Sequence, residues 1–334
     1  MKALVTGGGG FLGGRIVAML HQRGDDVTAL GRRPYPHLTE KGVATIQTDL
    51  RDAEAVAVAC AGMDVVFHVA AVTHLWGRRG PMWATNVDGT RHVIAGCRRH
   101  GVRRLVFTST PSVVFGDEPL CGIDESQPYP TRYLAHYPAS KAEAERLVLR
   151  ANDDDLHTVA LRPHLIWGPG DPHLIPRIVE RARRGKLVQI GKGDTRVDMT
   201  YIDNAANAHL LACDALEPGA ACAGRPYFIS QGEPVLLWPW LNELLARLDV
   251  LTVRRTMSPT SARLFGTVCE WVYTLLRRDG EPPMTRFLAG QLSQSRYFDI
   301  SAARRDLGYE PTVSTAEGLD RLVADVRCHA ERGA

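Results

Sequence analysis

The chain has 334 residues, 45% of them hydrophobic and 23% charged, an ordinary globular composition long enough to bury a sizeable core. Its formal charge of +3 is carried mainly by arginines scattered beside acidic neighbours, which argues against a nucleic-acid surface. Seven dispersed cysteines form no CxxC pair, so neither a disulfide framework nor a metal site is expected, and a reducing, cytoplasmic setting fits.

Residues 3–6 read as a buried strand that leaves no room for a targeting segment. The strand runs straight into Gly7-Gly8-Gly9-Gly10-Phe11-Leu12-Gly13, and a helix is expected over 11–22. Gly7, Gly10 and Gly13 give the spacing G-x-x-G-x-x-G. Glycine lets a backbone turn tightly and approach a pyrophosphate, and the helix start offers free N–H groups to it. Spacing alone is a weak signal, but strand, loop and helix agree here.

A second strand is expected over 26–30. NAD-selective sites place a carboxylate just past it to bind the ribose hydroxyls, whereas this chain has Gly31-Arg32-Arg33. Arg32 suits a 2′-phosphate, so NADP(H) is favoured over NAD(H) as cofactor. Strands are further expected at 44–47, 65–69, 105–108 and 158–161, with helices at 53–61, 81–100 and 140–151. Asp49 and Leu50, after the third strand, are placed to touch an adenine ring; a helix cap is the other reading of Asp49. Alternating strands and helices predict an α/β fold, a Rossmann-type doubly wound parallel sheet. Residues 1–162 form the NAD(P)-binding domain, and 163–334 a smaller substrate-binding region interleaved with it.

Tyr137-Pro138-Ala139-Ser140-Lys141 places a phenol and an ammonium four residues apart at a helix start, on one face. A free phenol is a poor base at neutral pH, and a nearby cation lowers its pKa. Tyr137 could then exchange a proton with a substrate oxygen, while Lys141 activates it and holds the nicotinamide ribose. The strand at 105–108 ends in Thr108-Ser109-Thr110-Pro111-Ser112, hydroxyls at the edge where a carbonyl would need polarising.

Taken with His68-Val69-Ala70-Ala71, Asn86-Val87-Asp88-Gly89-Thr90, Leu161-Arg162-Pro163-His164, Trp167-Gly168-Pro169-Gly170-Asp171 and Tyr201-Ile202-Asp203-Asn204, these motifs span most of the chain. It resembles an extended short-chain dehydrogenase/reductase, and within that group the 3β-hydroxysteroid dehydrogenase family. The resemblance implies an NAD(P)-dependent interconversion of a secondary alcohol and a ketone. Tyr137 falls on the family's acid/base, Lys141 on its activator, and Thr110 on its catalytic serine, with Ser109 and Ser112 as contenders. Ala70, Thr108 and Pro163 would line the cofactor.

Two branches look similar. Arg33-Pro34-Tyr35-Pro36, Thr110-Pro111-Ser112 and residues 165–171 point to bacterial 2-alkyl-3-oxoalkanoate reductases. Arg162-Pro163-His164 and residues 171–176 point to sterol-4α-carboxylate 3-dehydrogenases. Both imply a hydrophobic small molecule bearing a 3-oxo or 3-hydroxy group near a carboxylate, and the missing carboxylate after residue 30 favours the NADPH-dependent reductase. Ser112 is a candidate substrate contact, and His164 or Arg196 a candidate carboxylate anchor. Trp167, Trp238, Trp240, Phe265, Trp271 and Tyr273 are candidates for the pocket wall. Residues 264–276 are too short an apolar stretch to cross a bilayer, and residues 262–276 read as a lid or an interfacial helix. The helices at 81–100 and 140–151 suggest a homodimer. A nucleotide-sugar epimerase or dehydratase is the competing enzyme reading, and an NADP(H)-binding sensor without catalysis is the non-enzyme one.

Overall fold

The computed structural model describes residues 1–332 apart from His173 and Asp279, so His173 of the 171–176 motif lies outside the described residues. Seven strands form one sheet: β1 (Lys2–Thr6), β2 (Asp26–Gly31), β3 (Ala44–Gln47), β4 (Val65–His68), β5 (Arg104–Thr108), β6 (His157–Pro163) and β7 (Arg225–Ile229). Their order is β3-β2-β1-β4-β5-β6-β7, and every pair is parallel. The β1 side chains Ala3, Leu4 and Val5 are fully buried, as are Val65, Val66 and Phe67 of β4. Unbroken apolar runs of this kind belong to a sheet covered on both faces.

Helices α1 (Phe11–Gln22), α2 (Ala53–Ala59), α3 (Gly89–Arg99), α4 (His136–Arg150) and α5 (Ile202–Ala215) provide that cover. Ile16, Val17 and Leu20 of α1 join Ala205 and Leu210 of α5 in one core. Val56, Val93, Cys97 and Val148, from α2, α3 and α4, build the other. Strand order reverses between β1 and β4, which opens a crevice at their carboxyl ends. The Rossmann layer therefore draws α5 and β7 from beyond residue 162, while the rest of that half packs against the strand ends.

Two helices differ from their expected bounds for local reasons. The catalytic helix starts at His136 and takes Pro138 into its first turn, where a missing N–H costs no helical bond. The helix expected over 81–100 is broken by a π-type turn at Ala84–Asp88 before α3 begins at Gly89. Gly89 is needed there because a Cβ would lie 2.8 Å from Leu50 Cβ.

Short strands, Leu120–Ile123 from the first half and Arg196–Val197, Val235–Leu236 and Arg296–Phe298 from the second, make a small second sheet. Around it lie α6 (Leu237–Arg247), α7 (Pro259–Leu275) and α8 (Arg286–Ser293). Among the described residues no helix is long and apolar enough to cross a membrane.

Candidate active site

The glycine loop is built by exclusion of side chains. Gly7 has φ +71°, and a Cβ on it would lie 3.0 Å from Ala70 Cα at the end of β4. A Cβ on Gly13 would lie 2.1 Å from the Gly7 carbonyl oxygen, so only glycine lets α1 start this close to the loop. Gly10 caps α1 without any side-chain hydrogen bond to its first N–H groups. Phe11 and Leu12 point into the core, which leaves their backbone to face the loop. A cradle of backbone that any Cβ would fill fits a pyrophosphate, so Gly7, Gly10 and Gly13 suit a dinucleotide.

Tyr35 was not singled out as a cofactor-site residue. A Cβ on Gly9 would come within 2.0 Å of its ring, and one on Gly31 within 1.8 Å of its hydroxyl. The ring thus spans the loop and the end of β2, and the two glycines were the available signal. Arg32 is exposed beside it, and its carbonyl accepts from Gln47 Nε2 at 3.2 Å. Asp49 does not cap α2, since Asp52 accepts from Ala55 N in that role. Its carboxylate binds Arg51 at 2.8 Å, which holds its pKa below the usual range. The Leu50 side chain packs in the core under Gly89.

Helix α4 delivers Tyr137, Lys141 and Glu145 along one face, as spacing by four requires. Lys141 is 3% exposed, and its Nζ donates to the Thr108 carbonyl at 2.6 Å and lies 4.0 Å from the Phe107 ring centroid. Burial lowers its pKa to about 7, against the opposing charge of Glu145. Tyr137 departs from expectation. Burial pushes its phenol up to about 12, and the group that opposes this is the Thr110 hydroxyl through a hydrogen bond. The short donor contact of Lys141 goes to the Thr108 carbonyl.

Thr110 touches both Tyr137 and Ser112, whose hydroxyl lies 3.1 Å from its own. Ser109 is buried, and among the described residues its hydroxyl has no hydrogen-bond partner. Geometry ranks Thr110 first of the three. The Thr108 side chain turns away, bonding His209 Nε2 at 2.8 Å, and only its carbonyl serves Lys141. Pro163 closes β6 opposite Ile229.

Two buried networks set the position of α4. The Asn86 amide donates to Ser140 Oγ at 3.0 Å and pairs with both backbone groups of Val72, while Ser140 Oγ donates to the Tyr137 carbonyl at 2.8 Å. This amide ties the loop after β4 to the turn that bears the phenol. Glu145 accepts from Arg162 Nε at 3.0 Å, from Arg162 Nη2 at 2.6 Å and from the Tyr129 hydroxyl at 2.6 Å. With carboxylate and guanidinium buried, the pair holds together as a forked, hydrogen-bonded unit or not at all. The loop after β4 is also drawn toward the substrate half: Glu281 accepts from Leu75 N at 3.3 Å and from Arg177 at 2.6 Å.

A pocket of about 370 Å³ is lined by Phe115, Leu134, Arg263, Arg286, Phe287 and Arg296. Phe115 ends the turn that Thr110 begins, and Leu134 lies just before α4. The expected pocket wall needs correction. Trp167, Trp238 and Trp240 are core, with Trp167 packed edge-on against Tyr201 and Trp240. Phe265 and Trp271 lie on the outer face of α7, Trp271 at 68% exposure. Tyr273 stacks with Arg278. Arg196 is exposed on the second sheet, where its backbone N–H binds Ser295 Oγ, so its side chain does not reach the pocket. His164 is buried beside Phe115 and Phe298. Its Nδ1 donates to the Asp198 carbonyl at 2.8 Å, and burial pushes its pKa down to about 3. A neutral imidazole whose remaining nitrogen bears a lone pair is a poor carboxylate anchor.

Helix α7 packs against α8. Ala262 and Glu270 are buried, a Cβ on Gly266 would lie 2.7 Å from the Thr285 backbone, and Glu270 binds Arg286 through both carboxylate oxygens at 2.7 Å.

The model of the 3-beta hydroxysteroid dehydrogenase/isomerase family matches residues 4–259. The chain belongs to this family. Among its relatives, the 2-alkyl-3-oxoalkanoate reductase of Stenotrophomonas maltophilia is 52% identical, over 97% of this chain and 99% of that protein. The protein of the same name from Shewanella oneidensis is 47% identical, over 97% of this chain and 86% of its own length. The solved structure of MoeE5 in complex with UDP-glucose and NAD superposes with a TM-score of 0.77 at 25% identity, covering 99% of this chain and all of that one. Membership in the 3-beta hydroxysteroid dehydrogenase/isomerase family makes the chain an oxidoreductase acting on CH–OH groups. The family match ends at Pro259, the first residue of α7, so the apolar outer helix and Arg296 lie outside it.

Proposed function

We propose that this member of the family reduces the ketone of a 2-alkyl-3-oxo fatty acid to the 3-hydroxy acid, with NADPH as reductant. One arrangement carries it: the Tyr137 phenol, hydrogen-bonded to Thr110, and the Lys141 ammonium, fixed on the Thr108 carbonyl, stand together on one face of α4. A protonated phenol is ready to give its proton to a ketone oxygen as that oxygen gains charge. The names of the two bacterial reductases support the substrate class.

Thr110 steadies the carbonyl oxygen and Tyr137 protonates it, while Lys141, fixed on the Thr108 carbonyl, presents its charge to the same edge. The nicotinamide, when bound, supplies the hydride. Gly7, Gly10 and Gly13 hold the pyrophosphate, and Arg32 meets a 2′-phosphate where an NAD-selective chain would place a carboxylate. On this reading the enzyme works in the cytoplasm as a homodimer, and sedimentation at micromolar concentration tests the second point.

Leu264, Val268, Trp271 and Leu275, all more than half exposed, run at helical spacing along the outer face of α7, with exposed Arg277 and Arg278 at its end. Apolar side chains flanked by cations suit the surface of an anionic lipid bilayer, from which a hydrophobic substrate would be collected.

The assay is absorbance at 340 nm with NADPH and NADH in parallel, on a 2-alkyl-3-oxo acid, and the reverse reaction on a 3β-hydroxysteroid. NADPH oxidation by the acid is the expected result. Steroid oxidation with NAD and no acid turnover would replace this reading with that of the Mycobacterium tuberculosis relative, a 3 beta-hydroxysteroid dehydrogenase/Delta 5-->4-isomerase that is 35% identical.

A further inference from the structure

Three arginines line the pocket, and two of them are already neutralised. Arg263 pairs with Asp117 at 2.8 Å, and Arg286 with Glu270 at 2.7 Å. Among the described residues no carboxylate pairs with Arg296. Its Nη2 donates to Gln294 Oε1 at 2.6 Å, while its Nε and Nη1 have no hydrogen-bond partner among the described residues. The residue is only 3% exposed, and its guanidinium lies 4.1 Å from the Phe115 ring centroid. A ring face offsets part of the cost of burying the cation and cannot accept the unused N–H groups. Buried donors without partners are rare and call for a missing acceptor.

The neighbouring groups narrow what that acceptor is. His164, beside Phe115, has only a lone pair left on Nε2 and so adds no donor for a second anionic group. With one uncompensated cation the pocket matches a single negative charge, and a diphosphate would bring two. Phe115, Leu134 and Phe287 leave apolar surface beside that charge for a hydrocarbon chain. The strand that bears Arg296 pairs with Leu120 on one side and Val197 on the other, so the guanidinium is set on a sheet rather than a loop.

From this geometry we infer that Arg296 forms an anion subsite that takes the carboxylate of an acyl substrate while its ketone faces Tyr137. The inference rests on the proposed reductase reading for the ketone, and on the pocket itself for the carboxylate. A planar guanidinium fork matches a planar carboxylate, and fixing that end would place the β-carbon at a set distance from the phenol. Neutral 3β-hydroxysteroids would leave the same donors bare, so Arg296 also discriminates between the two substrate classes.

The test uses ligands that cannot be reduced. A short 2-alkyl fatty acid without a ketone, and its methyl ester, are titrated calorimetrically into the protein in the presence of NADP. The wild type is expected to bind the acid about 10- to 100-fold more tightly than the ester, the range for hydrogen bonds to a buried charge. Arg296→Gln should lower the acid to the ester's affinity and leave the ester unchanged, and Arg296→Lys should restore part of the difference. Equal binding of acid and ester by the wild type overturns the inference, as does an Arg296→Gln protein that keeps its preference for the acid. If the acid preference holds and Arg296 carries it while no 3-oxo acid is reduced, the subsite stands and the proposed reaction falls.

Discussion

The cofactor edge and the substrate pocket are built on opposite principles. At the glycine loop, contact is made by removing side chains: Gly7 against Ala70, Gly13 against the Gly7 carbonyl, Gly89 against Leu50. Those contacts come from short, consecutive βα units. The pocket is assembled from pieces far apart in the chain, Phe115, Leu134, α7, α8 and the strand at Arg296–Phe298, joined by ion pairs and ring stacking. The first region can change little without losing its backbone geometry. The second can change its ligand by changing single side chains, which is how one scaffold serves different alcohols and ketones.

The largest expected effect falls on the first region. Tyr137→Phe should lower kcat by about 10²- to 10⁴-fold, the usual contribution of a positioned acid, with cofactor affinity unchanged in a fluorescence titration. Retained turnover would remove the phenol from the mechanism. Next is Glu145→Ala, which strands Arg162 in the core and should cost about 3–5 kcal/mol in urea denaturation. A loss below ~1 kcal/mol would mean the pair contributes little to anchoring α4. Arg32→Ala should reduce the NADPH-over-NADH ratio of kcat/KM by about 10-fold or more, on the strength of a charge-assisted phosphate contact. An unchanged ratio would move cofactor selection elsewhere.

Acidification gives a smaller effect with a definite sign. Burial depresses His68 and His164 to about 3 and His209 to about 4. Their unfolded forms take up protons from about pH 6.5 downward while the folded forms do not, so their contribution is intact above that pH and falls with acid. Asp198, raised to about 6 by burial, opposes them, because its contribution is lost as pH rises through that value. Glu125, also raised by burial, acts in the same direction as Asp198; the three histidines still predict a net fall in Tm between pH 7 and 4.5, and a flat profile would show that the imidazoles protonate without unfolding. The smallest effect is Trp271→Ser on the exposed face of α7. It should change stability by no more than about 0.5 kcal/mol, yet weaken sedimentation with anionic vesicles.

Legibility in the sequence follows the same division. The sheet, the glycine loop and the Tyr137/Lys141 pair were readable because each is encoded within about a dozen residues by a period or a spacing. Pro138 misled the start of α4 because a proline in a first turn and a proline before a helix look alike in sequence. The second half resisted for a different reason. Trp167 and Trp271 are the same residue type, and only packing tells that one is core and the other faces outward. Arg196 and Arg296 occupy neighbouring strands of one small sheet, and nothing local says which is buried. The lowered phenol pKa was inferred from helical spacing, which places two side chains on one face without fixing where the Lys141 nitrogen donates.

The contact at Glu281 has a consequence for the response to salt. It joins the loop after β4 to the substrate half through Arg177 and one backbone N–H, with the Arg177 side chain 55% exposed. A latch held by charge at the surface is loosened by dissolved ions, whereas one held by apolar packing is not. Raising salt should therefore weaken the Arg177 end of this tie and leave the Leu75 N–H bond to Glu281 largely intact.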